Sequence, residues 1–192
     1  HSPMLDTMRM AVDAARAGAP NTPVVPKITG QLDNPLAVIL AMEQAGADGV
    51  VMFNRFTGLD IDVETEEPVM HKGYAGHGGP YSIHYVLRWI SEVSPLLGIP
   101  IASSGGVTNG ADVAKCILAG ATTVQVCTAI VMHGYGIVGK ILDEFEAWMD
   151  RKGHANLNEI RGAICPKVRN NDQIEREQVV VAEIDTGVCV NC

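Results

Sequence analysis

The sequence has little positive charge and no long apolar run. Its 192 residues include 14 Lys and Arg against 22 Asp and Glu, a net charge of −8. This acidic balance argues against binding to nucleic acid or to an anionic membrane surface. No apolar stretch approaches the roughly 20 residues of a membrane span, and no signal-peptide pattern opens the sequence. We therefore expect a cytoplasmic protein with neither a nucleic-acid nor a membrane partner.

The sequence also lacks the cysteine pattern of a disulfide-stabilised protein. Its five cysteines are odd in number and scattered, which does not suggest a disulfide framework. Cys116 and Cys127 stand inside apolar helix and strand patterns, where buried free thiols are common. A reducing compartment is the better interpretation.

What the sequence does contain is a regular alternation of helical and strand patterns. Hydrophobic residues make up 47% of the chain, enough for the core of one domain. The pattern predicts helices over residues 4–17, 34–44, 83–93, 112–118 and 137–151, and strands over 24–28, 49–54, 99–104 and 123–127. Strands that alternate with helices predict an α/β fold with a parallel sheet, either barrel or doubly wound.

The number of strands decides between these folds only in part. We find four where a closed (β/α)8 barrel needs eight, so the chain is either half of a barrel or an open α/β domain. A half barrel leaves two open sheet edges and is expected to need a missing half, a second copy or a partner chain. Residues 55–81 lack sustained periodicity and are predicted to form a long loop after the second strand, on the face where barrel chemistry lies.

Two consecutive strand ends predict a phosphate site. Ile101-Ala102-Ser103-Ser104-Gly105-Gly106-Val107-Thr108-Asn109 is a buried strand ending in two glycines before a capped helix, and Gly120-Ala121-Thr122-Thr123-Val124-Gln125-Val126-Cys127-Thr128-Ala129 repeats this plan. In (β/α)8 barrels the loops after strands seven and eight hold phosphate through backbone N–H groups. Glycine lets the main chain approach the anion. Gly105, Gly106 and Thr128 are the candidate donors, with Ser104 and Cys127 on the same backbone.

These motifs resemble the flavin-dependent dihydroorotate dehydrogenase and dihydropyrimidine dehydrogenase family over roughly residues 4–162. Ser103–Asn109 is similar to the family's second signature, with Ala102 in place of a larger aliphatic residue, and Val124–Ile130 looks especially like the dihydropyrimidine dehydrogenase version. The resemblance implies the C-terminal half of an FMN-binding (β/α)8 barrel that oxidises or reduces a CH–CH bond of a pyrimidine. It also implies that the family's first four strands, and the loop bearing its catalytic base, would precede His1. We therefore expect no catalytic residue in this chain and no activity from it alone.

The resemblance assigns further residues by position. Lys27 stands where the family has a lysine that touches the flavin, and Asn54 where it has an asparagine that binds the pyrimidine. Arg55 follows where Thr or Ser is usual, which places it on the substrate side. Ala75-Gly76-His77-Gly78-Gly79 matches a family motif, with Gly78 in place of a serine. Gly76 and Gly79 are thus candidate cofactor contacts.

The C-terminal part differs in character from the rest. We predict a barrel half over residues 1–162 and an extension over 163–192 that holds a linker and a short strand at 179–185. The last residues resemble the entry to a ferredoxin module, in which Cys189 and Cys192 would be ligands of a 4Fe–4S cluster completed further along the chain. A homo- or hetero-oligomer is expected.

Other functions are compatible with the same residues. A barrel isomerase or synthase could use the phosphate site without flavin. A half barrel could also persist as a non-catalytic assembly module. A flavin barrel of the glutamate-synthase or inosine-monophosphate-dehydrogenase kind would carry a catalytic cysteine loop, which the sequence does not show.

Overall fold

The structure is a computed structural model that describes residues 2–69, 73–174, 181 and 183. In chain order its strands are β1 (Lys27–Thr29), β2 (Val50–Asn54), β3 (Phe56–Gly58), β4 (Ile61–Asp62), β5 (Glu67–Pro68), β6 (Ala75–His77), β7 (Ile101–Ser104) and β8 (Thr123–Gln125). Its helices are α1 (Pro3–Gly18), α2 (Pro35–Gln44), α3 (Ser82–Val93), α4 (Gly110–Leu118), α5 (Thr128–His133) and α6 (Gly136–Lys152).

A parallel sheet in the order β1-β2-β7-β8 forms the centre of the molecule. Each strand is followed by a helix before the next strand of the sheet begins, so the chain forms four consecutive βα units. This is the fold of half a (β/α)8 barrel, which is one of the two folds that the strand count left open and the one that the resemblance implied. In the part of the chain that the structure describes, β1 and β8 are the edge strands.

The two faces of this sheet differ because the helices that the structure describes pack against one of them. The row facing the helices is apolar or buried and consists of Ile28, Met52, Ser103 and Val124, which pair across the four strands. The adjacent row, with Lys27, Val51, Ala102 and Thr123, lies on the opposite face. Lys27 and Thr123 are exposed. This second face corresponds to the interior of a closed barrel.

The helices begin and end where their residues predict. Asn34 and Asn109 accept hydrogen bonds through their side chains from the amides of Ala37 and Asp112, at 3.1 and 2.9 Å, which satisfies one orphan donor of each helix. Gly46 and Gly120 follow α2 and α4 with φ of 88° and 116°, a conformation in which glycine is favoured. The main core lies between the sheet and α2 and α3, and its fully buried side chains include Val38, Ile39, Val50, Met52, Val86, Ile90 and Val93.

Residues 55–81 contain strands that the sequence did not indicate. β3 pairs antiparallel with β6, and β4 with β5. The strands have two or three residues each, too short for an alternating pattern to be recognised. The position of the segment, directly after β2, is the one predicted.

The helix predicted over residues 137–151 is present as α6 (Gly136–Lys152). The short helix α5 that precedes it was not indicated by the sequence, and it ends before Gly134, which takes φ of 76°. One further prediction needs correction. The first strand begins at Lys27 instead of residue 24, since Pro23 and Pro26 have no amide hydrogen to donate to a ladder. The strand predicted at residues 179–185 lies outside the described residues, apart from Val181 and Glu183.

Candidate functional site

A cavity of about 460 Å³ opens at the carboxyl ends of the parallel strands. Its lining combines the ends of β1, β2, β7 and β8 with the β3–β6 hairpin and the first turns of α3 and α5. The structure brings together in this one cavity all the candidate cofactor and substrate residues: Lys27, Asn54, Arg55, Gly76, Gly79, Ser104, Gly105, Gly106, Cys127 and Thr128. Cys189 and Cys192 lie outside the described residues.

The glycine loop after β7 packs directly against the start of α3. Gly105 and Gly106 have φ of 123° and 77°, a region that side chains other than glycine enter at a cost. A Cβ on Gly106 would collide with the backbone nitrogen of Ile83 and would lie 2.8 Å from the Cβ of that residue. Glycine is therefore required here for two independent reasons, backbone conformation and space.

This loop presents unused donors to the cavity. The amides of Gly106 and Val107 donate to no acceptor among the residues that the structure describes. Thr128 and Ala129 open α5, where the amides of the first turn have no partner within the helix. All four residues line the cavity, so two neighbouring strand ends contribute residues with unpaired amides to one lining.

Asp112 holds the far end of the glycine loop. Its Oδ2 accepts hydrogen bonds from the amide and the hydroxyl of Thr108, at 3.1 and 2.9 Å, and its Oδ1 accepts one from Lys115 at 2.8 Å. Burial of Asp112 raises the pKa of its carboxyl, but the hydrogen bonds from Lys115 and Thr108 outweigh burial and leave that pKa below its ordinary value. A carboxylate thus fixes the loop from behind without facing the cavity.

The two cysteines near the cavity are in different states. Cys127 is exposed in the cavity lining, two residues after β8. Cys116 in α4 is fully buried, and burial raises the pKa of its thiol to about 11 even though Ser103 donates a hydrogen bond to it at 3.2 Å. Cys116 is therefore a core residue and remains protonated at neutral pH.

Lys27 reaches across the uncovered face of the sheet. From the edge strand β1, its Nζ donates to the Ser104 Oγ at 3.2 Å and to the Gln125 Oε1 at 3.3 Å. These bonds bridge β1 to β7 and β8 over the intervening β2. The ammonium group is consequently positioned over the middle of the strand ends.

Asn54 and Arg55 mark the junction between the sheet and the β3–β6 hairpin. Asn54 is the last residue of β2, and Arg55 is the single residue between β2 and β3. A Cβ on Gly76 would collide with Cδ and Nε of Arg55 and lie 2.9 Å from its Cγ, so the arginine stem crosses β6 at a position that only glycine leaves open.

The hairpin is anchored to the rest of the domain from two sides. Gln31 accepts hydrogen bonds from the amide and hydroxyl of Thr57 at 3.0 and 2.9 Å. The ring of Phe56 packs edge-on against Tyr85 of α3, with centroids 5.1 Å apart. These contacts hold the hairpin as one wall of the cavity.

The hairpin also approaches α5. A Cβ on Gly78 would lie 3.1 Å from the hydroxyl oxygen of Thr128, so any side chain at position 78 would have to displace that group. The loop then enters α3 through Ser82, whose hydroxyl and amide both donate to the Gly79 carbonyl, at 2.8 and 3.1 Å.

Comparison with known proteins shows the family to which the chain belongs. The family model described as dihydroorotate dehydrogenase matches residues 4–149. The chain belongs to the dihydroorotate dehydrogenase family. It is 35% identical over 142 residues to the catalytic subunit of dihydroorotate dehydrogenase B (NAD(+)) from Anoxybacillus flavithermus, covering 74% of this chain and 45% of the relative.

Two further relatives carry the same name. The protein of Bacillus pumilus is 32% identical over 155 residues, which cover 81% of this chain and 50% of the relative. That of Thermococcus kodakarensis is 31% identical over 152 residues, which cover 79% of this chain and 50% of the relative. The chain thus spans about half the length of the curated relatives that it matches.

Membership of the dihydroorotate dehydrogenase family confirms the resemblance stated from the sequence. The cavity also has lining residues that the sequence did not single out. Gln125 is the clearest, because it is the second hydrogen-bond partner of Lys27. The sequence pattern that could have identified Gln125 is the alternation in β8, where Thr123 and Gln125 are polar and exposed while Val124 between them is half-buried. Val107 and His77 also line the cavity, and neither stands out in composition or spacing.

The part of the chain that the structure describes holds no group of three His, Cys, Asp or Glu side chains able to bind a metal ion. Nor does that part contain a helix that is both long and apolar enough to cross a membrane.

Proposed function

We propose that this chain carries the FMN-phosphate half of a dehydrogenase site that acts on a CH–CH bond of a pyrimidine. The observation that carries the proposal is the meeting of glycine-loop amides, a lysine ammonium and an asparagine amide in one cavity. Membership of the dihydroorotate dehydrogenase family favours dihydroorotate over a neutral dihydropyrimidine as the substrate.

The cradle built by the two strand ends fits a phosphate. The Gly106 and Val107 amides have no acceptor in the described residues, and both residues line the cavity together with Thr128. Gly106 packs closely on Ile83, which restricts the loop and favours donors that are oriented before any ligand binds. Gly105, Gly106 and Thr128 would hold the FMN phosphate, with Ser104 and Cys127 contributing their backbone.

When bound, FMN accepts or donates the hydride that the reaction transfers. Lys27 would place a positive charge beside the flavin ring. Its bonds to Ser104 and Gln125 position the ammonium before any ligand binds. The Asn54 side chain offers both a donor and an acceptor, which matches the imide edge of a pyrimidine. Gly76 and Gly79 would let the hairpin backbone approach the cofactor.

The proton transfer that accompanies hydride transfer needs a general base. The resemblance to the family assigns that base to the half of the barrel that this chain does not match. We therefore propose that the 192-residue chain alone does not turn over dihydroorotate, and that the complete site needs the missing half or a partner chain, in a homo- or hetero-oligomer. Cys189 and Cys192 remain proposed ligands of a 4Fe–4S cluster.

A comparison of FMN with riboflavin tests the cradle, because the two differ only in the phosphate. We expect the purified chain to bind FMN more tightly than riboflavin, as measured by quenching of flavin fluorescence. Gly106→Ala should remove this preference, while Gly139→Ala in α6, where an added Cβ meets nothing within 4 Å, should keep it. Equal binding of both flavins would contradict the proposal. Binding of a sugar phosphate without any flavin would favour the isomerase or synthase alternative.

A further inference from the structure

We propose that Glu144 of α6 is a positioning residue for the glycine loop after β7. Its carboxylate holds the amide of Gly110, the first residue of α4, and so fixes the loop from the side away from the ligand. This inference rests on the proposed function. It assigns part of the affinity for phosphate to a residue that is not among the described residues lining the cavity.

The first observation is a hydrogen bond between elements that are distant in the sequence. Glu144 lies in the middle of α6, and its Oε2 accepts a hydrogen bond from the Gly110 amide at 2.9 Å. Gly110 opens α4, where the first amides have no acceptor within the helix. The helix dipole also favours a carboxylate at this end. Glu144 therefore satisfies a donor that α4 itself leaves open.

The second observation is the close packing of the start of α4 on α6. A Cβ on Gly110 would collide with the backbone nitrogen of Phe145 and would lie 2.6 Å from the Cβ of Glu144. Both Gly110 and Phe145 are buried. The hydrogen bond thus lies where the two helices are in backbone contact, so that a shift of α6 would move the start of α4.

The third observation is that the donor loop lies between two fixed points. At one end Gly106 packs on Ile83 of α3. At the other end Gly110 is held by Glu144. Val107, whose amide is unpaired among the described residues, lies between these points and is buried. A loop that is restrained at both ends loses less conformational freedom when an anion binds, so release of the Gly110 end should weaken phosphate binding.

A purely stabilising role for Glu144 makes a different prediction. A contact at a helix start stabilises the helix wherever it occurs, and its loss would lower the Tm without changing the relative affinity for two ligands. The Glu144 side chain is 39% exposed, so its removal opens no cavity in the core and the variants should fold. The ratio of the affinities for FMN and riboflavin therefore decides between the two roles, because only FMN carries the phosphate.

Two variants separate the hydrogen bond from the charge. Glu144→Ala removes the acceptor, whereas Glu144→Gln keeps a side-chain oxygen that can accept from the Gly110 amide. We would measure both affinities of the full 192-residue chain by quenching of flavin fluorescence. We expect Glu144→Ala to lower the FMN-to-riboflavin ratio about threefold to tenfold, the effect of one hydrogen bond. Glu144→Gln should keep the ratio of the unaltered chain.

Hydrogen exchange of the chain without ligand provides a second measurement. Glu144→Ala should speed amide exchange in peptides that cover residues 106–110, and Glu144→Gln should not. Glu146→Ala is the matched control, because Glu146 is an exposed carboxylate of the same helix and its loss changes the net charge equally. It should leave both the affinity ratio and the exchange unchanged.

The outcomes separate this inference from the proposed function. A ratio as high in Glu144→Ala as in the unaltered chain, even with a lower Tm, would overturn the inference and leave the phosphate cradle in place. An equal fall of the ratio in Glu144→Ala and Glu144→Gln would assign the effect to charge and would also overturn it. If the unaltered chain binds FMN no better than riboflavin, the proposed function fails, and the inference fails with it.

Discussion

Replacement of Gly106 by alanine is expected to destabilise the whole domain as well as the phosphate cradle. The loop residue has φ of 77°, and its Cα hydrogen faces the first turn of α3. A Cβ would lie 2.8 and 2.9 Å from the Cβ and Cα of Ile83 and collide with its backbone nitrogen. Because these are mainly backbone atoms, rotation of a side chain cannot relieve the contact.

The magnitude follows from two contributions. Placing alanine in the left-handed region costs about 1–2 kcal/mol. Forcing an extra methyl group into a packed site costs about 1–3 kcal/mol more. The free energy of unfolding should therefore fall by about 2–5 kcal/mol, which lowers the Tm of a domain of this size by roughly 5–20 °C.

Thermal unfolding followed by circular dichroism measures this effect. Gly139→Ala is the matched control, because an added Cβ there meets nothing within 4 Å and alanine stabilises a helix interior by about 0.5–1 kcal/mol. The two Gly→Ala variants should thus shift the Tm in opposite directions. If Gly106→Ala unfolds at the temperature of the unaltered chain, the close packing of the loop on α3 is wrong.

Three further predictions concern other parts of the site. Because the pKa of Asp112 is lowered, its contribution to stability is present above its ordinary pKa of 3.8 and is lost as the pH falls through the folded-state value. In urea titrations from pH 7 to pH 3, Asp112→Asn should therefore be less stable than the unaltered chain at pH 7 and should lose less stability on acidification. An unchanged pH profile would refute the role of Asp112 in holding Thr108. In native protein at pH 8, iodoacetamide should modify the exposed Cys127 but not Cys116, which is buried and whose thiol has a pKa of about 11. Both cysteines should react in denaturant. If peptide mass mapping finds that Cys116 is alkylated in the native protein, that result would contradict its burial. Asn109→Ala removes the N-cap of α4 and should lower the free energy of unfolding by about 1 kcal/mol, a Tm decrease of roughly 2–4 °C.

Local signals in the sequence were strong enough to predict the βα units and the glycine loop. Asn34 and Asn109 predict helix starts because their side chains can accept from backbone amides, and both do so. The apolar run of residues 50–53 predicts a buried strand, and all four of these residues are buried. Gly105 and Gly106 stand between a strand and a cap, which is the local arrangement of an anion-binding loop. Each of these patterns depends on neighbours within a few residues.

The contacts that decide what the cavity can bind join residues distant in sequence. Lys27 meets Gln125 across nearly the whole sheet, and Gly106 is limited by Ile83 in a helix of another βα unit. Arg55 depends on Gly76 in a strand of three residues, too short for periodicity to show. Local propensity determined where strands and helices form, because capping and burial act over a few residues. Only the parallel register, which brings four strand ends to one edge, decided which side chains line the same cavity.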